Sequence, residues 1–498
     1  MLFNSYPFLL GFFPLVLLVF FILGRRHQLL ASGWLAVASL FFYAWWSPAA
    51  LPLLLISICA NYGFGLLLTP RGQTTQARRK VWLVTALAAN LLVLAYFKYA
   101  DFFIANVNTL LQTTSGQQLR ALHVVLPIGI SFFTFTQIAF LVDCYEGKVQ
   151  ERRFVHYALF VSYFPHLISG PVLHHSQMMP QFRSAQTYSP LLDNFLAGLL
   201  GLTVGLAKKV LLADEFSQYA SPVFEAAGAG RPIGQVAAWV GALAYTLQIY
   251  FDFSGYTDMA VGLSRMFGIR LPLNFDSPYK AGSIIEFWRR WHMTLSQFLR
   301  DYLYVPLGGN RKGATRRYAN LMATMLLGGL WHGASWTFVV WGGLHGAYLL
   351  INHMWRGIVA RMAHPRPIAV IGAAAGTALT FLGVVVAWVP FRAPTFAGAQ
   401  AILTAMFSAA ATPPARTFAA TFAGIEVPPT SFAYLGGFMA AGFAIVWLFP
   451  TTQAIVPRFE GMQGRRAWFC IGMLLFGIAL LAAINASNNS SEFIYFNF

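Results

Sequence analysis

The sequence predicts an all-α, polytopic membrane protein with a helical core of about 11–13 spanning helices, plus amphipathic and re-entrant ones. Three observations predict it. Of the 498 residues, 57% are hydrophobic and 10% are charged, against roughly 25% charged in soluble domains. Apolar runs of about 20 residues, the length of a bilayer-crossing helix, recur along the chain. Most Lys and Arg gather between those runs. A lipid-facing exterior can be as apolar as a core, whereas a soluble protein of this size needs more polar surface.

In order, the spans are expected near 6–24, 29–46, 48–68, 80–98, 122–142, 154–172, 190–213, 234–252, 319–331, 335–355, 368–390, 432–450 and 467–485. No basic residue precedes the first run, it is too long for a signal-peptide core, and Arg25-Arg26 follow it. It is therefore expected to be a retained span with Met1 facing outward. By the same rule Arg71, Arg78, Arg79 and Lys80 lie on the cytoplasmic side, and the uncharged 47–50 turn lies outside. Arg458, Arg465 and Arg466 place the start of the last span inside, and the tail 485–498, without Lys or Arg, suits an outward end. Absence of a fixed-period repeat or long polar linker predicts one membrane-embedded domain over 1–498. The segment 412–430, with Pro413, Pro414, Pro428 and Pro429, reads as an external loop.

Cys59, Cys144 and Cys470 are far apart and odd in number, so they read as packing residues rather than a disulfide set or a metal site. The net charge of +17 fits topology and anionic lipid headgroups, and nucleic acid is not expected as a partner. The stretch 253–317 is unusual in carrying many basic residues interleaved with aromatics. Within it, Ile284, Phe287, Trp288, Trp291, Leu295, Phe298, Leu299 and Tyr302 recur at helical spacing, which predicts one amphipathic helix over Ile284–Leu303. Such a helix can simply anchor the interface.

Polar residues are costly within a bilayer, so four clusters are candidates for chemistry. Trp331-His332-Gly333 puts an imidazole among small residues that allow close approach. His332 could accept a proton from an attacking hydroxyl or thiol, or only bond a backbone carbonyl across helices. Trp291-His292 repeats the pattern 40 residues earlier, where His292 could orient a substrate or titrate harmlessly. Asp252, Tyr256 and Asp258 end an apolar run. They suggest a proton relay or a glycosidase-like pair, but also, and more simply, ion pairs to nearby arginines. The fourth cluster, Tyr163–Pro171, breaks a helix around His166 and reads as a tunnel wall or a kink. His174 and His175 just beyond it have no partner at metal-ligand spacing, so no metal is expected. His345 and His353 make a poor ligand pair, and GxxxxGK[ST], GxSxG and HExxH are all absent.

Taken together and in order, these motifs resemble one family. They run from Phe42–Trp46, Pro127–Phe135, Tyr163–Pro171 and Gln248–Asp258 through Phe287–His292, Tyr304–Asn310 and Leu330–Gly333 to the closing Phe493–Phe498. The chain is similar to membrane-bound O-acyltransferases, in the bacterial branch that includes alginate O-acetylation proteins. The resemblance implies His332 as the catalytic residue and His292 as a second catalytic position. It makes Asp252, Tyr256, Trp291, Trp331, Asn310 and His166 candidates for lining the substrate tunnel. Arg289 and Arg290, in the basic stretch, are candidates for the CoA phosphates. It further implies acetyl-CoA as acyl donor with no resident cofactor, a bacterial inner membrane, and an exported alginate- or cellulose-like polysaccharide as acceptor. An extracytoplasmic SGNH-like acetyltransferase and a polysaccharide secretion complex are the implied partners. D-alanyl transfer to teichoic acid and peptidoglycan acetylation are alternatives within the fold. Outside it stand a proton-coupled transporter using the intramembrane His and Asp residues, and a non-catalytic scaffold.

Overall fold

The computed structural model describes residues 1–70, 75–114, 116, 118–359, 366–408, 417–460, 471–472, 477 and 493–494. Helices dominate, and no β-strand occurs among the described residues. Seven helical stretches are long and apolar enough to cross a membrane: Pro7–Gly24, Gln28–Trp46, Pro48–Leu68, Gln76–Gln112, Leu192–Gly228, Gln235–Met266 and Gly372–Arg392. Ile130–Tyr145, Phe396–Phe407 and Phe432–Leu448 are shorter apolar helices. The expected span at 467–485 and Cys470 lie almost wholly or wholly outside the described residues, as do Arg71, Arg465 and Arg466. Cys144 is buried, but Cys59 is exposed on its helix and so is not a packing residue.

The chain forms two compact units, each built from separated stretches of sequence. The first comprises Met1–Leu206, Tyr256–Pro272 and Val456–Phe498. Its core is aromatic: Phe42 and Phe164 have ring centroids 5.4 Å apart, and Phe164 meets Phe267 edge-on at 6.1 Å. The run at 154–172 is not one span. Helix Phe154–Ser162 stops, and the four-residue helix Phe164–Leu167 follows with Pro165 in its first turn. Proline lacks the N–H that a continuing helix needs, so the chain breaks there. The loose backbone groups are satisfied from within the protein, as an apolar setting demands. Ser39 Oγ accepts from Phe164 N–H at 3.1 Å, and His166 Nε2 lies 2.8 Å from the carbonyl oxygen of Phe160.

The second unit comprises Ala207–Gly255 and Leu273–Ile455. Helices Gly313–His332 and Trp336–Val359 form a tight hairpin within it. Glycines permit the closeness: a Cβ on Gly329 would sit 2.3 Å from the Phe338 carbonyl oxygen, and one on Gly342 2.3 Å from that of Met325. Small residues let helix backbones approach where side chains would hold them apart. The group that comes close to Gly329 and Gly333 is thus the neighbouring helix and its Phe338 ring.

The predicted amphipathic helix Ile284–Leu303 is broken in two. Helix Ile284–Arg290 ends, His292 adopts the left-handed conformation at φ 43°, and helix Met293–Leu299 begins, followed by a π-helical stretch Arg300–Tyr304. The apolar spacing survives the break, which is why periodicity alone could not reveal it. Backbone bonds to the extended segment before it replace the helical ladder: Asp276 N–H donates to the Arg290 carbonyl and Met293 N–H to that of Asn274, each at 2.9 Å.

Candidate active site

His332 is the last residue of helix Gly313–His332, and Gly333 turns the chain away in extended conformation. The glycine hairpin therefore fixes where the imidazole stands. His332 is buried, and its ring meets Trp331 at 5.0 Å, Trp341 at 5.0 Å and Phe391 at 5.2 Å between centroids, all edge-on. His292, also fully buried, has its ring 6.5 Å from that of Trp331. The two histidines thus share one aromatic box within the second unit, with Trp331 adjoining both.

Asn274 holds His292. Its Oδ1 lies 3.1 Å from His292 Nδ1 and also accepts from the Thr294 hydroxyl at 2.8 Å and Thr294 N–H at 3.3 Å. An amide oxygen only accepts, so the proton sits on Nδ1 and Nε2 is the basic nitrogen. Burial pushes the His292 pKa down to about 3, so the ring is neutral across the physiological range. The left-handed backbone at His292 costs energy for a residue with a Cβ, and such strain concentrates at functional sites.

A third histidine joins the box. His345 is fully buried, 4.8 Å from Trp341, and its Nδ1 accepts from Trp288 Nε1–H at 3.3 Å. Its Nε2 then carries the proton. Neither His345 Nε2 nor Trp341 Nε1 has a hydrogen-bond partner among the described residues. Buried N–H donors are almost always satisfied, so two orphans, one on Trp341 against His332 and one on His345 against Trp341, are a feature of the site. The sequence reading did not assign His345 to this cluster. The available signal was its four-residue spacing from Trp341 on one helix, which puts both on one face.

The other candidates distribute as follows. Trp291 is buried, stacked on Phe287 at 5.7 Å and packed against Trp388 at 4.9 Å. Trp331 is likewise buried. Asp252 is buried, and its partner is Lys209 Nζ at 2.8 Å rather than an arginine; the same ammonium bonds Asp214 at 2.8 Å. Helix Gln235–Met266 continues through Tyr256, but Tyr256 and Asp258 belong to the first unit, as does His166. There Tyr256 stacks on Phe3 at 5.1 Å, and His166 caps the helix break. Asn310 is exposed, in the turn before helix Gly313–His332. Arg290 is held by Glu286 Oε1 at 2.7 Å and by the Asp276 carbonyl at 3.1 Å, whereas Arg289 is exposed.

The fold and this site define a helical, multi-pass membrane protein with a cluster of buried histidines. The chain belongs to the membrane-bound O-acyltransferase family, whose model matches residues 40–386, His292 and His332 included. It is 39% identical to a probable alginate O-acetylase of Pseudomonas putida over 508 aligned positions, covering 100% of both chains. It is 41% identical to a peptidoglycan O-acetyltransferase of Helicobacter pylori over 82% of this chain and 80% of that one. A teichoic acid D-alanyltransferase of Bacillus subtilis is 28% identical over 45% of this chain and 58% of its own. The protein is a multi-pass membrane O-acyltransferase.

Proposed function

We propose that this enzyme takes an acetyl group from cytoplasmic acetyl-CoA and passes it through the inner membrane for O-acetylation of an exported polysaccharide. The observation that carries this reading is the buried box around His332, with neutral His292 and two orphan N–H donors beside it. His332 removes the proton of the attacking hydroxyl as its oxygen bonds the acyl carbon. The carbon–sulfur bond then breaks and CoA leaves as the thiol, taking that proton. Trp341 Nε1–H and His345 Nε2–H stabilise the oxyanion that forms on the acyl oxygen, in a dry site where such bonds are strongest. Asn274 keeps Nε2 of His292 as the nitrogen facing chemistry. Exposed Arg289 attracts the CoA phosphates; Arg290 is already neutralised. Acetyl-CoA is too large and charged to cross, but an acetyl group needs only a narrow path, so the ionic seal survives.

The acceptor is read as an alginate- or cellulose-like polymer, by similarity to the alginate O-acetylase, with an SGNH-like extracytoplasmic partner and a secretion complex completing the transfer. Similarity to the peptidoglycan enzyme supports peptidoglycan as a second acceptor. The test is acetyl analysis of exopolysaccharide and of peptidoglycan from cells carrying wild-type protein or His332→Ala. Acetyl lost from one polymer identifies the acceptor; acetyl unchanged in both overturns the proposal.

A further inference from the structure

The adjacent histidines His174 and His175 have no ligand partner nearby in sequence, but the fold brings one to them. Asp143 comes from the last turn of helix Ile130–Tyr145, and the histidines open helix His175–Arg183, all within the first unit. Asp143 Oδ2 lies 2.7 Å from His174 Nε2 and 2.9 Å from His175 Nε2. All three donor atoms fall within 4.8 Å of one another. We propose that Asp143, His174 and His175 form a binding site for a divalent transition-metal ion of the zinc class, stapling these two helices together.

Chemistry and geometry both favour this. Two imidazoles and one carboxylate are the donor set that borderline divalent metals prefer, and hard cations such as magnesium do not. With zinc–nitrogen bonds of about 2.0–2.1 Å, ligand atoms in a tetrahedron stand about 3.3 Å apart. Asp143 Oδ2 therefore needs to move only about half an ångström further from each imidazole nitrogen to admit the ion. Their orientations are already held. His174 Nδ1 accepts from Ser176 N–H at 3.3 Å and lies 2.5 Å from Ser176 Oγ, so in the metal-free protein Nε2 carries the proton that faces Asp143. For Nε2 to ligate, the ring proton moves to Nδ1, where Ser176 Oγ can accept it. The His175 ring rests edge-on against Phe140 at 5.9 Å. Asp143 and His175 are buried, while the His174 side chain is 29% exposed, which leaves an entry path and room for solvent to complete the coordination. Lys148 Nζ stands 3.9 Å from the other oxygen of Asp143 and opposes a cation. Its side chain is 63% exposed and also pairs with Glu146, so it can withdraw. The chain between the two helices carries helix Phe154–Ser162 and the broken segment with His166, so a staple here would tie together the two ends of that stretch.

The test uses the full-length protein purified in detergent without a histidine tag, stripped with chelator and dialysed against zinc or cobalt(II). Wild-type protein is expected to retain about one equivalent by elemental analysis and to give the visible absorption of tetrahedral cobalt. His174→Ala, at the partly exposed ligand, and Asp143→Asn are each expected to lose both signals while remaining monodisperse. Ser176→Ala is expected to weaken affinity by about tenfold to a hundredfold. Failure of monodisperse wild-type protein to retain metal overturns the proposal. So does retention that is unchanged in a His174→Ala/His175→Ala double variant, because the ion would then bind elsewhere.

Discussion

Nδ1 of His292 sits 3.1 Å from Oδ1 of Asn274, an oxygen that also accepts two bonds from Thr294. One amide thereby fixes the tautomer of a buried imidazole and stabilises a backbone turn that a continuous helix would not contain. Asn274→Ala should release both. Acyl transfer should fall by about tenfold to a hundredfold in kcat, the range for removing support from a general acid–base group. Asn274→Asp should recover part of that loss, because it keeps an acceptor at the same place. Kinetics of both variants with a fixed acyl donor check this; equal activity in wild type and Asn274→Ala would remove Asn274 from the mechanism.

His292 also predicts a pH dependence. Its folded pKa, about 3, lies below the ordinary 6.5 because burial disfavours the cation. Below pH 6.5 the unfolded chain therefore binds a proton that the folded protein refuses. The contribution of neutral His292 to stability is complete above pH 6.5 and is lost progressively as pH falls toward 3, by about 1.4 kcal/mol per unit. A melting curve in detergent, followed from pH 7 to pH 4, should slope less in His292→Gln than in wild type. Parallel slopes would contradict the assignment.

The hairpin glycines divide into those with room and those without. A Cβ on Gly329 meets a backbone oxygen at 2.3 Å, whereas one on Gly328 meets only the flexible end of Leu299 at 3.2 Å. Gly329→Ala should force the helices apart, cost about 1–3 kcal/mol, and displace His332 enough to reduce activity sharply. Gly328→Ala should be tolerated. Thermal stability and activity measured together on the pair test whether close approach is what aims His332.

Membrane embedding, the helical class and four members of the box, His292, His332, Trp291 and Trp331, were legible because composition, span length and local motifs record them directly, whereas His345, Trp341 and Asn274 were not. Trp331-His332 and Trp291-His292 lie 40 residues apart yet share one box, which the repeated motif hinted at. Contacts made across the fold were not legible. Lys209 reaches Asp252 from 43 residues away, and Asp143 reaches His174 from 31, so no local spacing points to either. The break at His292 was hidden for a different reason. The apolar faces of the two short helices stay in phase, and the bonds that replace the helical ladder come from Asn274 and Asp276 outside the window.

The Lys209 triad makes a stability prediction. Lys209 and Asp252 are both buried, and removing Lys209 takes away the ammonium that offsets the Asp252 carboxylate, whereas removing Asp252 leaves Lys209 its bond to Asp214. Lys209→Met should destabilise by about 3–5 kcal/mol and Asp252→Asn by less, because Asp214 still pairs with Lys209, with less than the sum of the two lost in the double variant. Additive losses would show that the pair is not the coupled unit described.

Trp341 offers the most discriminating test of the box. Trp341→Phe keeps a large ring beside His332, whose centroid is 5.0 Å away, but deletes the orphan Nε1–H. If that N–H holds the acyl oxygen as charge develops there, kcat should fall by about a hundredfold or more while KM for the donor changes little. If the indole only packs, kcat should be nearly unchanged and the melting temperature slightly lower. His345→Phe removes the second donor and should show the same kcat-weighted loss. Because the two N–H groups would act on one oxygen, the double variant should lose less than the product of the single effects.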